Sequence, residues 1–399
     1  MLNSGNNSLN DIELLWGQLP SKRMALETFS DSAITFLDDL SKEILNDKAL
    51  NSFTDLKTFS FWCRAANIQR IKSTYQNQKK SIGRGIALHI TPSNVAMNFA
   101  YSLAFGLLAG NINIVRIPSR NFIQVDAFIQ KLKFVLTKHE HEGIGKFIYL
   151  VKYERSNTVS ETLSAVADVR LIWGGDETIT NFKKHSTKPR CLDLTFSNRY
   201  SLALINPAAI KDLTDKELKK ITERFFNDCY FMDQRGCSSP QSVIWTSYSN
   251  RIEKNRFWDS LTTTVTEKYD YNISVAADKF VTLAEAAVNS EIDFQLLKSN
   301  FLVSRLEINE LSQVETIKCK FGIFAEASIN ELKQLNSFIT EKYQTLTYYG
   351  LTKEDIEHAL GQGNFAGIDR IVPFGRAFDM EHIWDGFDII SAASRMIGD

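Results

Sequence analysis

Residues 84 to 117 read RGIALHITPSNVAMNFAYSLAFGLLAGNINIVRI, and the order of three segments within them decides the fold. Arg84 to Ile90 is a short apolar run, broken by Thr91, Pro92, Ser93 and Asn94. A long helix then runs to Gly110-Asn111, a pair of the kind that closes helices, and Ile112 to Ile117 is a second apolar run. Strand, helix and strand in about 34 residues make a β-α-β unit, which implies parallel pairing and a right-handed crossover. Gly85 to Val115 carries no Asp, Glu, Lys or Arg, yet Pro92, Ser93, Asn94, Asn98 and Ser102 interrupt it. Its helical part, Val95 to Ala109, is about 15 residues long where a membrane span needs roughly 20, so a buried core helix is expected.

Downstream the alternation continues. A helix is predicted near Val125 to Thr137, a strand near Phe147 to Val151, a helix near Thr158 to Ala167 and a strand near Val169 to Trp173. Gly174-Gly175 then precedes another helix start, which is doubly wound α/β construction. A second α/β unit opens near Ser201, with strands at Ser201 to Ile205 and Ser242 to Thr246 around an amphipathic helix at Asp215 to Asn227. Further strands are predicted at Phe301 to Leu306, Phe321 to Phe324 and Ile368 to Pro373, with a helix at Asn330 to Ile339. Upstream, residues 1 to about 80 read as helices, with Phe36, Leu37, Leu40, Ile44 and Leu45 at helical spacing. The stretch YQNQKKSIGR, Tyr75 to Arg84, reads as a surface connection, with Lys79-Lys80 in a solvated turn.

The 399 residues predict two or three domains at about 150 residues each. With 46 basic and 47 acidic side chains the formal charge is −1, so no excess positive charge draws the chain to nucleic acid or anionic lipid. Five cysteines, Cys63, Cys191, Cys229, Cys237 and Cys319, are odd in number and widely spaced, which argues against a disulfide framework or a Cys-rich metal site. No basic segment followed by an apolar one opens the chain, so no secretory signal and a cytoplasmic location are expected.

Two motifs are set aside. Gly361 to Ala366 matches G-x-G-x-x-G/A, but it follows a helix (Lys353 to Leu360) and precedes a strand, the reverse of the order that seats a phosphate on a helix N-terminus. His139-Glu140-His141-Glu142 reads as a solvated turn, because side chains two apart on a helix diverge and no third metal ligand accompanies them. Three better signals remain. Ile90-Thr91-Pro92-Ser93-Asn94 ends a strand and begins a helix, where Ser93 or Asn94 could simply cap it. Val115-Arg116-Ile117-Pro118-Ser119 ends the next strand. Met232 to Gln241, MDQRGCSSPQ, follows a helix and contains Cys237, which alone could be a small buried hydrophobe.

Together these resemble the aldehyde dehydrogenase superfamily, and within it the LuxC-type acyl-CoA reductases, the fatty-acid reductase family. The resemblance is carried by His89 to Asn94, Gly106 to Asn111, Val115 to Ser119, Trp173 to Asp176, Arg235 to Gln241 and Asp369 to Pro373, in that order from about residue 80 to the C-terminus. It implies an α/β, aldehyde dehydrogenase-like fold: an N-terminal helical segment (1–80), a Rossmann-type dinucleotide-binding domain (81–205), a second α/β catalytic domain (206–372), and a tail (373–399) packing on the cofactor domain or on a partner subunit.

The resemblance makes Cys237 the acyl-accepting nucleophile. Asn94 donates its side-chain amide to the oxyanion beside the Cys237 N–H. Ile90, Thr91 and Ser93 line the cofactor groove, Arg116 and Ser119 lie near the adenosine ribose or its 2′-phosphate, and Gly174 and Gly175 form the turn facing the pyrophosphate. The implied reaction is reduction of an acyl-CoA or acyl-protein thioester by NADPH, or NADH, without a metal. Arg235 and a helix start after Cys237 would favour its thiolate. A homo-oligomer is expected, and an acyl-activating, AMP-forming ligase is the partner implied. Oxidising relatives carry Glu-Leu-Gly-Gly where this chain has Leu192-Asp193-Leu194-Thr195-Phe196; the Glu there activates the deacylating water, so the change favours reduction. In many of those enzymes Lys also precedes the Pro that is Pro118 here; Ile117 stands in its place, leaving the adenosine contact to Arg116. Aldehyde oxidation, acyl-phosphate reduction and a catalytically quiet acyl-carrying subunit are the alternatives.

Overall fold

Continuous apolar runs pair as parallel strands covered on both faces, and this chain builds a sheet of that kind in each of two units, Met1–Ser197 with Met380–Asp399, and Asn198–Asp379. The computed structural model describes residues 11–20, 22–75, 80–154, 156–271, 273–288, 293–361 and 366–398. The first unit runs β1 (Glu13–Trp16), α1 (Asp31–Leu45), α2 (Thr54–Trp62), α3 (Ala65–Thr74), β2 (Ser81–Gly83), β3 (Ile86–Ile90), α4 (Asn98–Leu108), β4 (Ile112–Arg116), α5 (Ile123–Leu136) and α6 (Glu142–Gly145). It continues with β5 (Ile148–Lys152), α7 (Asn157–Val166), β6 (Val169–Trp173), α8 (Asp176–Lys183) and β7 (Leu192–Phe196).

The sheet order is β1-β5-β4-β3-β6-β7, with β1 antiparallel at the edge and the rest parallel. Numbered along the chain, the five parallel strands lie 3-2-1-4-5, which is the Rossmann order with its switch point between β3 and β6. Every residue of β3 and β6 is buried. α4 is apolar nearly all round and buried, so the uncharged stretch is a core helix of 11 residues. Among the described residues no helix is long and apolar enough to cross a membrane.

The N-terminal helices belong to this same unit, and so does the C-terminal segment. Ser394–Met396 pairs antiparallel with β2, and Asn111 Nδ2 donates to the Ala393 carbonyl over 2.8 Å. Lys80 pairs with Glu27; Lys79 and the centre of the Gly361 to Ala366 motif lie outside the described residues. The solvated turn expected at His139 to Glu142 is corrected: His141 is buried edge-on to Phe36, and its Nε2 lies 3.1 Å from Asp39. Asp39, Glu140 and His141 hold their ligand atoms within 4.8 Å of one another, but Lys42 Nζ also sits 2.9 Å from Asp39, so the cluster is held by ion pairing.

The second unit runs β8 (Tyr200–Ile205), α9 (Asp215–Tyr230), β9 (Ser242–Trp245), α10 (Arg251–Lys268), α11 (Ile273–Val288), β10 (Phe294–Ser299), β11 (Ser304–Ile308), β12 (Ile323–Ser328), β13 (Tyr343–Tyr349), α12 (Lys353–Gly361) and β14 (Arg370–Pro373). Its sheet order is β10-β11-β12-β9-β8-β13-β14, parallel except at β10. β8 pairs with β9 and β13, so the boundary expected at 205/206 moves to 197/198, and the tail leaves this unit at Met380 rather than 373. The strand expected at 301 to 306 begins at Ser304, because Asn300 Oδ1 accepts from the Leu302 and Val303 N–H groups and closes a turn there. The helix expected at 330 to 339 is a 3₁₀ segment, Leu332–Ser337.

Candidate active site

The cofactor-side residues gather at the carboxyl ends of three adjacent strands. Ile90 closes β3, with Thr91, Ser93 and Asn94 directly after it; Arg116 closes β4, with Ser119 beyond; Gly174 and Gly175 follow β6. Two of these strands, β3 and β6, flank the switch point. Thr91 Oγ1 donates to the Arg116 carbonyl over 2.9 Å, tying two of the strand ends together. Arg116 places its guanidinium carbon 4.3 Å from the centre of the Tyr153 ring and donates to the Tyr153 carbonyl, so its charge is held along the strand ends. Ser93, Asn94 and Ser119 are exposed, whereas Ile90 and Thr91 are buried. Neither Ser93 nor Asn94 caps α4: the helix begins at Asn98, its cap position is Met97, and no side-chain cap bond forms. α8 begins directly after Gly175, and no side-chain cap bond forms at its start.

A buried polar chain stiffens this edge. Trp173 Nε1 donates to Ser102 Oγ (3.0 Å), Ser102 Oγ lies 2.7 Å from His89 Nδ1, and His89 Nε2 lies 3.0 Å from Asn113 Oδ1. Asn113 spends its amide hydrogens on the Asn111 and Phe147 carbonyls, so its oxygen faces the imidazole. A neutral imidazole satisfies these groups, with Ser102 donating to Nδ1 and Nε2 donating to Asn113. Burial agrees, pushing the His89 pKa down to about 4 against the opposing bond from Asn113. Gly106 is required here, since a side-chain carbon would fall on Asn113 Oδ1 and the imidazole.

Asp193 is committed elsewhere. β6 and β7 pair with Arg170 opposite Asp193, and the two side chains form a bidentate ion pair, Nε to Oδ1 at 2.7 Å and Nη2 to Oδ2 at 2.6 Å. Arg170 is 2% exposed and also donates to Ser164 Oγ and the Phe182 carbonyl. Asp193 is therefore the counter-ion of Arg170.

In the second unit, Cys237 sits in the turn between α9 and β9. Cys63, Cys229 and Cys319 are buried, while Cys237 and Cys191 are half-buried. No helix follows it: the chain turns through Gly236 to Ser239 and enters β9, so the helix dipole expected at the sulfur is corrected. Arg235 lies over the Phe321 ring at 4.8 Å and 3.3 Å from Asp278.

Gln234, unassigned by the sequence reading, organises this turn. It is buried at φ +61°, donates to the Pro240 and Ile323 carbonyls over 2.9 and 3.0 Å, and accepts from the Gly322 N–H over 2.9 Å. Ser201 Oγ donates to the Cys237 carbonyl over 2.6 Å and accepts from the Thr345 N–H. The Cys237 backbone is thus fixed from β8, β13 and the Phe321-Gly322 turn. The only sequence signal for Gln234 was its place three residues before Cys237 in MDQRGCSSPQ.

Comparison with solved structures gives the class. Aldehyde dehydrogenase 21 from Physcomitrella patens matches with a TM-score of 0.60 at 11% identity, over 86% of this chain and 77% of that one. A putative aldehyde dehydrogenase from Burkholderia cenocepacia matches at 0.59 and 12%, over 86% and 79%. Bifunctional proline utilization A matches at 0.62 and 13%, over 87% of this chain and 38% of that one. The chain has the aldehyde dehydrogenase fold. Residues 62–303 match the family described as acyl-CoA reductase (LuxC), and the chain belongs to that family. It is similar to a long-chain acyl-protein thioester reductase of Aliivibrio fischeri, 25% identical over 180 residues, 44% of this chain and 36% of the relative. Long-chain acyl-protein thioester reductase 2 of Photobacterium leiognathi is 24% identical over 185 residues, 46% and 35%. The match spans little more than a third of either relative.

Proposed function

We propose that this chain reduces an acyl thioester, on coenzyme A or on a protein, to an aldehyde through an acyl-Cys237 intermediate, with NADPH as the reductant. The observation that carries reduction over oxidation is the Arg170–Asp193 pair, which leaves no carboxylate at that position to activate water. Two curated relatives named as acyl-protein thioester reductases support the same reading.

A nicotinamide dinucleotide fits the first unit on two features, the Rossmann strand order and the uncapped start of α8 after Gly174-Gly175. Gly174 and Gly175 would face the pyrophosphate, Ile90, Thr91 and Ser93 would line the groove, and Arg116 and Ser119 would hold the adenosine ribose or its 2′-phosphate. When bound, NADPH supplies a hydride to the acyl carbon.

The chain's own residues do the rest. The Cys237 thiolate adds to the thioester carbonyl, forming a C–S bond and moving an electron pair onto oxygen. The Asn94 amide and the Cys237 N–H donate to that oxygen, each such donor being worth about 3 kcal/mol in transition-state stabilisation. The carbonyl re-forms as the substrate thiolate leaves. After reduction the same thiol is expelled from the thiohemiacetal, releasing aldehyde and regenerating Cys237. An acyl-activating ligase is the proposed acyl donor, and its recovery with the chain from its own cells checks that.

The test is NADPH oxidation against acyl-CoAs of increasing length, with the product identified by mass. Aldehyde formed in step with NADPH loss is expected. NADP⁺ reduction by free aldehyde, with no NADPH oxidation by thioesters, would make the chain a dehydrogenase instead.

A further inference from the structure

Strands β8 and β13 do not pair evenly. Tyr200 faces Tyr343 and Leu202 faces Leu346, so Gln344 and Thr345 together stand opposite the single residue Ser201. That is a β-bulge in a parallel pair, where bulges are rare, and it breaks the regular ladder. Ser201 Oγ accepts from the buried Thr345 N–H at the bulge over 3.1 Å. The same hydroxyl donates its one proton to the Cys237 carbonyl over 2.6 Å. Ser201 is fully buried, and its own carbonyl accepts from the Gln241 N–H over 2.9 Å, so one residue grips the cysteine loop at two points.

The loop needs that grip. It is entered through Asp233 and Gln234, both left-handed at φ +53° and +61°, a conformation that non-glycine residues keep where their surroundings over-determine it. Beyond them the Ser239 N–H donates to the Gly236 carbonyl over 3.0 Å and closes a four-residue turn with Cys237 and Ser238 at its centre. That bond holds the peptide ahead of Cys237. The peptide after Cys237 is the central one of the turn, and turn types differ mainly in how this peptide is rotated. Ser201 holds its oxygen. Cys237 is thereby clamped on both sides of its Cα, the atom from which its N–H and its sulfur are both aimed.

We propose that Ser201 is a positioning residue for acyl transfer: the hydroxyl at the bulge holds the Cys237 main chain so that sulfur and N–H meet the thioester carbonyl together. The proposal rests on reading Cys237 as the acyl acceptor. Removing the hydroxyl leaves the sulfur available as a nucleophile but loosens its alignment, and a small misplacement of reacting groups costs up to about 100-fold in rate.

Two reactions of the same sulfur separate alignment from exposure. Acylation by an acyl-CoA, without a nicotinamide, forms the C–S bond at a carbonyl, moves an electron pair onto oxygen and then expels coenzyme A as its thiolate. Iodoacetamide reacts at a saturated carbon: the C–S bond forms as iodide leaves, and no oxyanion develops. Both are timed on the Cys237 peptide of the full chain by mass spectrometry. Ser201→Ala should slow acylation about 10- to 100-fold and change alkylation less than about threefold. Ser201→Thr, which keeps the hydroxyl, should restore most of the acylation rate. Should Ser201→Ala fail to fold, Ser201→Gly carries the comparison, because it lacks the hydroxyl and leaves space for water between the two stranded groups. Acylation as fast without the hydroxyl as with it, or acylation and alkylation slowed by the same factor, overturns the proposal. An unaltered chain that iodoacetamide labels at Cys237 but acyl-CoA does not overturns the acyl-acceptor reading, and the proposal with it.

Discussion

The Arg170–Asp193 pair gives opposite expectations for its two possible roles, and Asp193→Asn separates them. As a counter-ion, Asp193 neutralises a guanidinium that is 2% exposed and is bound through both carboxylate oxygens. Asparagine keeps one acceptor and loses the charge, leaving the Arg170 guanidinium with neutral partners alone, the remaining oxygen at 193, Ser164 Oγ and the Phe182 carbonyl. Stranding a buried charge in this way costs about 3–5 kcal/mol; because Asp193 is 24% exposed, water recovers part of that, and about 2–4 kcal/mol is expected. That corresponds to roughly 30- to 1000-fold more frequent opening of the β6–β7 ladder, read by hydrogen exchange across Val169 to Phe196. Replacing both partners, with Arg170→Met and Asp193→Leu, should recover most of the loss, since no charge is then left alone. Hydrolysis of acyl-Cys237 should be unchanged by Asp193→Asn. Normal ladder protection with hydrolysis reduced tenfold or more would refute the reasoning and make Asp193 a base.

Two further outcomes follow from the first unit. Asn94→Ala should lower kcat by about 100- to 1000-fold with thermal unfolding unchanged, because the exposed side chain caps no helix and, in the proposed mechanism, donates to the oxyanion; an unaltered rate removes it from the site. His89 should titrate near pH 4 by NMR rather than near 6.5. Its folded pKa lies below the unfolded one, so between pH 6.5 and 4 the unfolded chain binds the extra proton, and this residue's contribution to stability falls as pH falls, by about 3 kcal/mol in all. A His89 resonance titrating at 6.5 contradicts the neutral, doubly bonded imidazole.

How far the sequence could be read depended on how each element buries itself. β6 is legible to the residue, because Val169, Leu171, Ile172 and Trp173, interrupted only by Arg170, lie between Asp168 and Gly174-Gly175. The interior β13, YQTLTYY, next to the edge strand β14, escaped, since its buried positions include Gln344, Thr345 and Thr347, which look like surface residues in a bare sequence. α11 escaped for the reverse reason. Its buried positions include Lys279 and Thr282 while Ile273, Phe280 and Val288 are exposed, so the apolar stripe gives no sign of which face is covered. Among the described residues Lys279 Nζ reaches the Phe301 and Gly322 carbonyls, both at 3.4 Å, and burial pushes its pKa down to about 7.

At the site, the strand-end motifs were visible because each lies in a short contiguous stretch. The support around them was not. Gln234 acts on Gly322 and Ile323, Ser201 on Cys237 and Thr345, and Asp228 on Gly375 and Ala377, pairs joined only by the fold. Arg235, adjacent to Gly236 in sequence, invited an electrostatic role at the sulfur, but its guanidinium packs on Phe321 and pairs with Asp278.

The most direct measurement is intact-protein and peptide mass spectrometry after incubating the chain with a long-chain acyl-CoA and no nicotinamide. One acyl mass should appear on the peptide holding Cys237, vanish on addition of NADPH with release of an equal amount of aldehyde, and never form in Cys237→Ala. An acyl group attached elsewhere, or turnover that survives the loss of that sulfur, would contradict the account.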